Sequence, residues 1–205
     1  MADLIQAVEL IGVGVFAASG GLTAARQRLD IFGFALVATV TGIGGGTLRD
    51  LLLGLPVFWI GDPAALGVCI VVATVMFFAA QHVARGEKAL LFADALGLSL
   101  FCVLGADRAL SHGAPALVAI AMGVMSAAFG GIVRDVLCAQ VPLIMRKEIY
   151  ATAAAAGACA YVGLLAAGLD RLSAAGAAVA LCFAIRAAAI LRGWSLPAHG
   201  GLIKP

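Results

Sequence analysis

Two arginine–aspartate pairs, Arg49-Asp50 and Arg134-Asp135, each follow a glycine pair, Gly45-Gly46 and Gly130-Gly131, inside a strongly apolar run. Charged side chains are costly inside a membrane and mark ion or substrate paths where they occur. Glycine weakens a helix interior by up to about 1 kcal/mol relative to alanine. It also permits kinks and leaves backbone carbonyls bare. Carbonyls and carboxylates can replace part of the hydration shell of a permeating cation, and arginines can set the barrier. Gly44, Gly45, Gly46, Gly130 and Gly131 are therefore read as kinks, and Arg49, Asp50, Arg134, Asp135 and Thr47 as polar pore or gating residues.

The elements that must hold these residues are membrane helices. The chain has 205 residues, 63% of them hydrophobic and only 12% charged. Its mean hydropathy is +1.11, whereas soluble globular chains carry about 25% charged residues. About 20 apolar residues cross a bilayer as a helix. Segments of that kind lie at roughly 4–25, 31–55, 64–82, 89–110, 115–140, 148–168 and 173–191. The runs are long and lack the alternation of a barrel strand. The N-terminus is acidic and runs directly into the first segment, which is read as a permanent span and not as a cleaved signal.

The phrase around the glycines is part of a longer repeat with an offset of 85 residues. At that offset Glu9 matches Asp94, Gly12 matches Gly97, Phe16 matches Phe101 and Gly20 matches Gly105. Pro56 matches Pro142 if one residue is inserted. The expected fold is an all-α integral membrane protein of seven transmembrane helices, built as two three-helix repeats and one extra C-terminal helix. The units are 1–84, 85–169 and 170–205. A unit with an odd number of spans enters the membrane from opposite sides in its two copies, so the repeats are inverted. Counted from the span ends at 1.5 Å per residue, Glu9 and Arg49 lie at similar depth, roughly 7–9 Å in. Asp94 and Arg134 match in the same way in the other half. Each carboxylate is expected to partner its arginine. Adjacent residues diverge by about 100° around a helix, which argues against pairing of Arg49 with Asp50 or of Arg134 with Asp135.

Basic residues cluster on one set of loops: Arg26, Arg28, Arg85, Lys88, Arg146, Lys147, Arg192 and Lys204, against Arg108 and Arg171 on the other. The positive-inside rule then places the N-terminus outside and the C-terminus in the cytoplasm. Arg186 is expected to snorkel to the interface. His82 and His112 fall at span ends and His199 in the tail, so no histidine relay is expected. The five cysteines are scattered singly and form no metal or disulfide pattern. A net charge of +2 gives no case for a nucleic-acid partner. No HExxH, GxSxG or P-loop pattern suggests an enzyme.

The doubled Gly-Gly-x-x-Arg-Asp phrase in a 3+3+1 order of spans resembles the prokaryotic branch of the trimeric intracellular cation channel family. The resemblance covers about residues 4–191. It implies a homotrimer in the bacterial inner membrane, with a pore in each protomer bounded by kinked spans 2 and 5 and permeable to monovalent cations, potassium first. No resident metal or cofactor is implied beyond transient potassium and bound lipid. The second copy departs from the first, with Phe129 for Gly44 and Ile132 for Thr47, so the two kinks need not be equivalent. Related bacterial sequences are also described as glycine transporters. A secondary transporter of a small zwitterion such as glycine is the alternative, because one carboxylate and one arginine suit its two ends. A third reading is a non-conducting scaffold whose alanine-rich spans are assembly faces.

Overall fold

Alanine- and leucine-rich runs form the helices, and short polar turns end them. The computed structural model describes residues 2–83 and 87–196, with side chains at 5–79 and 88–196. Within them lie helices α1 (Ala2–Arg26), α2 (Ile31–Leu52), α3 (Phe58–Gly61), α4 (Ala64–Val83), α5 (Glu87–Ser111), α6 (Ala116–Leu137), α7 (Ala151–Ala166) and α8 (Arg171–Arg192). A 3-10 turn at Leu143–Met145 precedes α7. Asp30 caps α2 by accepting from the Gly33 amide. Asp170 caps α8 by accepting from the Leu172 and Ser173 amides. Those bonds, the one with Ser173 first, hold its carboxyl below the usual aspartate range.

Five helices are long and apolar enough to cross a membrane: Ile5–Arg26, Ile31–Leu52, Lys88–Ser111, Ala116–Leu137 and Arg171–Arg192. The segments expected at 64–82 and 148–168 contain shorter apolar helices, Ala64–Ala79 and Ala151–Ala166. The chain spends the intervening residues on α3 and on the 3-10 turn, which fold back against the preceding helices. Phe32, Leu36, Phe78 and Leu117 point outward, a surface suited to lipid, which is as apolar as leucine. The chain is thus a multi-pass, all-α membrane protein. The side chains of His82 and Arg85, and the tail with His199 and Lys204, lie outside the described residues.

The contacts are reciprocal across the repeat. A Cβ on Gly12 would strike the Phe101 ring, and one on Gly97 would strike the Phe16 ring. The two rings stack with centroids 5.3 Å apart. A Cβ on Gly45 would overlap the Ser126 carbonyl, and one on Gly130 the Thr41 carbonyl. Rising numbers on one helix meet falling numbers on its counterpart, so α1 and α5, like α2 and α6, cross antiparallel. Such paired contacts define two inverted units about a pseudo-two-fold axis. The axis passes through the Phe16–Phe101 stack and through the glycine crossing of α2 on α6.

The turns obey the same register. The Leu55 amide bonds to Asp50 O as the Gln140 amide bonds to Asp135 O. The positive φ of Gly54, 66°, is matched at Ala139, 52°. Phe58 and Leu143, 85 positions apart, make equivalent bonds to the two aspartates. The offset of 85 therefore persists past the motif, and the inserted residue that would align Pro56 with Pro142 is not present. Prolines recur near these turns because a helix must stop there in both repeats, not because the two positions correspond.

Candidate functional site

Each motif arginine is the centre of a buried triad. In the first repeat Arg49 Nη2 donates to Glu9 Oε1 at 3.0 Å, and Arg49 Nε donates to Asp50 Oδ1 at 2.8 Å. In the second, Arg134 Nη1 donates to Asp94 Oδ1 at 2.7 Å, and Arg134 Nε to Asp135 Oδ1 at 2.8 Å. The structure brings together Glu9 with Arg49 and Asp94 with Arg134, the pairs suggested by depth.

It also pairs the sequence neighbours, which helical divergence argues against. The reason is the length of the arginine side chain and the second job of each aspartate. Asp50 Oδ2 accepts from the Phe58 amide at 2.9 Å, and Asp135 Oδ2 from the Leu143 amide at 3.0 Å. These bonds turn each carboxylate toward the helix end, where the bent-back Nε can reach its other oxygen. In apolar surroundings an unpaired guanidinium N–H is expensive, so the arginine uses both carboxylates.

The two triads differ in their surroundings. The second is sealed: Arg134 and Asp94 are fully buried, and Arg134 Nη1 also donates to Ser19 Oγ at 2.6 Å. Three of its polar atoms, Asp94 Oδ2, Arg134 Nη2 and Tyr150 OH, make no hydrogen bond. The bare Cα of Gly131 lets this group pack closely, since a Cβ there would meet Tyr150 OH at 3.1 Å. The first triad borders a cavity of about 220 Å³ lined by Gln6, Glu9, Phe58, Asp62 and Arg108. Its Glu9 side chain keeps 19% exposure. Arg108, on the last turn of α5, lies 3.9 Å from Asp50 Oδ1.

Helix α2 runs without interruption through Gly44–Gly46, and α6 through Gly130 and Gly131. In place of breaks, the glycines provide close approach. Gly45 and Gly130 admit the carbonyls of the facing helix, and Gly46 admits the Phe58 ring. Gly44 faces the Gly130 Cα. Thr47 is engaged locally: its hydroxyl donates to Ile43 O at 2.8 Å and accepts from Trp59 Nε1 at 2.9 Å. Ile132 and Ile144 hold the corresponding positions in the second repeat and need no such bond.

Several residues of the site are not evident from the sequence. Arg108 reads as a loop cation, Ser19 as a small packing residue, and the amides of Phe58 and Leu143 carry no signal at all. One signal for Arg108 exists: its repeat counterpart is Thr23, a neutral residue. Arg186 does not snorkel. It is 1% exposed and donates to Glu148 Oε2 at 2.6 Å and to Ile149 O at 3.1 Å, over the Tyr150 ring. Glu148, on the loop before α7, is its partner.

The comparisons agree with this architecture. The family model described as "Glycine transporter" matches twice, at residues 6–81 and 91–167. A "UPF0126 membrane protein" of Vibrio cholerae is 39% identical over 95% of this chain and 82% of its own length. The "UPF0126 inner membrane protein YadS" of Escherichia coli K12 is 41% identical over 75% of each. A solved TRIC trimeric intracellular cation channel orthologue from Rhodobacter sphaeroides superposes with a TM-score of 0.89 at 48% identity, covering 93% of this chain and 99% of that one. The chain belongs to the TRIC channel family. A prokaryotic TRIC channel crystallised in 0.5 M KCl gives 0.88 at 28% identity, over 96% of this chain and all of that one. The TRIC fold extends to a channel from C. elegans at 16% identity and a TM-score of 0.63. TRIC proteins are channels and not enzymes. The label of the family model does not itself assign a substrate.

Proposed function

We propose that this protein is a homotrimeric, potassium-permeable cation channel of the inner membrane, with a path in each protomer between α2 and α6. The observation that carries the reading is the charge of the two triads. Each holds two carboxylates and one guanidinium, a formal net of −1, on either side of the glycine crossing. Such a site favours a cation over an anion, and backbone carbonyls near glycine can complete its coordination. The solved relatives are described as trimeric cation channels, which supports both the ion class and the assembly. The basic loops support an outside N-terminus and a cytoplasmic C-terminus. Lipid is then the medium of the outward apolar faces.

Purified protein in a planar bilayer under a KCl gradient is expected to give unitary currents that reverse near the potassium potential. Reversal near the chloride potential would exclude cation selectivity. Slow, saturable flux without unitary steps would exclude a channel. A cysteine at His112 is expected to label from outside intact cells, and one at Arg28 only after permeabilisation.

A second reading has one specific observation in its favour. Asp94 Oδ2 and Arg134 Nη2 are both unsatisfied, and Asp94 and Arg134 both lie beside Gly131. They match the ammonium and carboxylate ends of a zwitterion. Glycine-dependent uptake with counterflow into proteoliposomes would establish that reading.

A further inference from the structure

The two triads are related by the repeat, yet only one of them has a second arginine. Arg108 lies 3.9 Å from Asp50 Oδ1. Its counterpart at the offset of 85, Thr23, is buried and turns its hydroxyl onto Ser19 O at 3.2 Å. Among the described residues, Asp135 therefore has one cation within ion-pair distance and Asp50 has two.

The three arginines are held very differently. Arg134 is fixed by Asp135, Asp94 and Ser19 and is fully buried. Arg49 is fixed by Asp50 and Glu9. Arg108 is 42% exposed, and its Nε is shielded from solvent without a hydrogen bond. Its guanidinium thus has one side on the Asp50 carboxylate and the other at the cavity mouth. The rim opposite carries Asp62, anchored by Gln6 Nε2 at 2.7 Å and by the Ala64 amide at 3.0 Å. Glu9, Asp50 and Asp62 against Arg49 and Arg108 leave this mouth at a formal −1. Without Arg108 it would stand at −2.

We infer that Arg108 is a tethered counter-ion that occupies the cation position of the first-repeat vestibule and so sets how strongly that mouth takes up a monovalent cation. An entering cation must compete with a guanidinium of the same charge that is attached to α5. Among the described residues the second triad has no such arginine on its aspartate, so the two ends of the path differ in affinity. This inference rests on the channel reading and deepens it.

Bilayer recordings of wild type, R108Q and R108K over a range of KCl test the idea. One unit charge about 4 Å away, at a water-like dielectric, shifts a cation's affinity by about fivefold. R108Q is therefore expected to lower the half-saturating potassium concentration about fivefold, with the difference fading above about 1 M salt as screening shortens. R108K is expected to stay near wild type. Guanidinium added on the first-repeat side should return R108Q toward wild-type conductance at low potassium, while the same addition opposite should not. R108H supplies a control for folding, because one protein is compared with itself. Its half-saturation should be about fivefold lower at pH 8, with the imidazole neutral, than at pH 5.5. Half-saturation unchanged in R108Q, or independent of pH in R108H, overturns the inference while wild-type currents keep the channel reading intact. Absence of unitary cation currents in wild type overturns both.

Discussion

Removing the central arginine should harm the two triads unequally. In Arg134→Gln, Asp94 and Asp135 remain as two buried carboxylates, both essentially without solvent contact. The repeat places Thr23 where Arg108 stands in the other half, and Arg186, over the Tyr150 ring, is already committed to Glu148. Breaking a buried ion pair in this way costs about 3–5 kcal/mol. At about 2–4 °C per kcal/mol for a chain of this size, the melting temperature falls by about 6–20 °C. In Arg49→Gln, Glu9 borders the cavity and can meet water, and Arg108 is already 3.9 Å from Asp50. Asp50 stays buried, so part of the cost remains, about 1–3 kcal/mol, and the fall should be about 2–12 °C, smaller than at Arg134. The assay is heat treatment of detergent-purified protein followed by size-exclusion measurement of the surviving folded species. In an R108Q background the reserve is gone, and Arg49→Gln should become distinctly more harmful. Equal losses at Arg49 and Arg134 in the otherwise native chain, or a larger loss at Arg49, would refute the argument from unequal burial.

Gly45→Ala and Gly130→Ala should each lose about 1–3 kcal/mol, because the new methyl meets a backbone carbonyl that cannot step aside. Gly44→Ala, with its nearest outside atom at 3.6 Å, should leave the melting curve near wild type, and the same thermal assay separates the three. Ala139→Gly should raise stability by about 1 kcal/mol, since Ala139 adopts a φ of 52° where its repeat counterpart is Gly54. A fall in melting temperature would contradict that. Thr47→Val should strand the Trp59 indole N–H and cost about 1–3 kcal/mol, whereas a free pore-lining hydroxyl would be lost at little thermal cost.

Periodicity and composition carry the helices, and the offset of 85 carries the inverted repeat, because both are written in residue types. Depth counting finds the Glu9–Arg49 and Asp94–Arg134 pairs because rise per residue is nearly constant in a helix. It does not see how far a long side chain bends. The Arg49–Asp50 and Arg134–Asp135 contacts depend on that bend and on backbone amides from Phe58 and Leu143, which no residue type advertises. The glycine phrase is ambiguous for a similar reason. Glycine permits both a kink and a close crossing, and the facing carbonyls of Ser126 and Thr41 show the close crossing. Arg186 reads as interfacial because its partner, Glu148, comes from a loop whose path the sequence does not specify.

The crossing and the triads constrain one another through simple lengths. Gly45 faces Ser126 and Thr41 faces Gly130, so the centre of the crossing lies near Ile43 on α2 and Ala128 on α6. Arg49 follows Ile43 by six residues, and Arg134 follows Ala128 by six. At 1.5 Å per residue each arginine stands about 9 Å from the centre. The helices are antiparallel, so the two displacements point in opposite directions and the triads are separated by about 18 Å. That separation fits within a hydrocarbon core about 30 Å thick, leaving roughly 6 Å beyond each triad. On the proposed channel reading, a path from one triad to the other runs through the glycine crossing. Glycines carry no side chains to interlock, so parting α2 from α6 forfeits little dispersion energy compared with a leucine seam. Arg49 and Glu9 lie in one repeat and Arg134 and Asp94 in the other, whereas Arg134 with Ser19 and Arg108 with Asp50 join the two. Parting the two units would therefore strain the Arg134–Ser19 and Arg108–Asp50 contacts, while the Glu9–Arg49 and Asp94–Arg134 pairs would travel with their own helices.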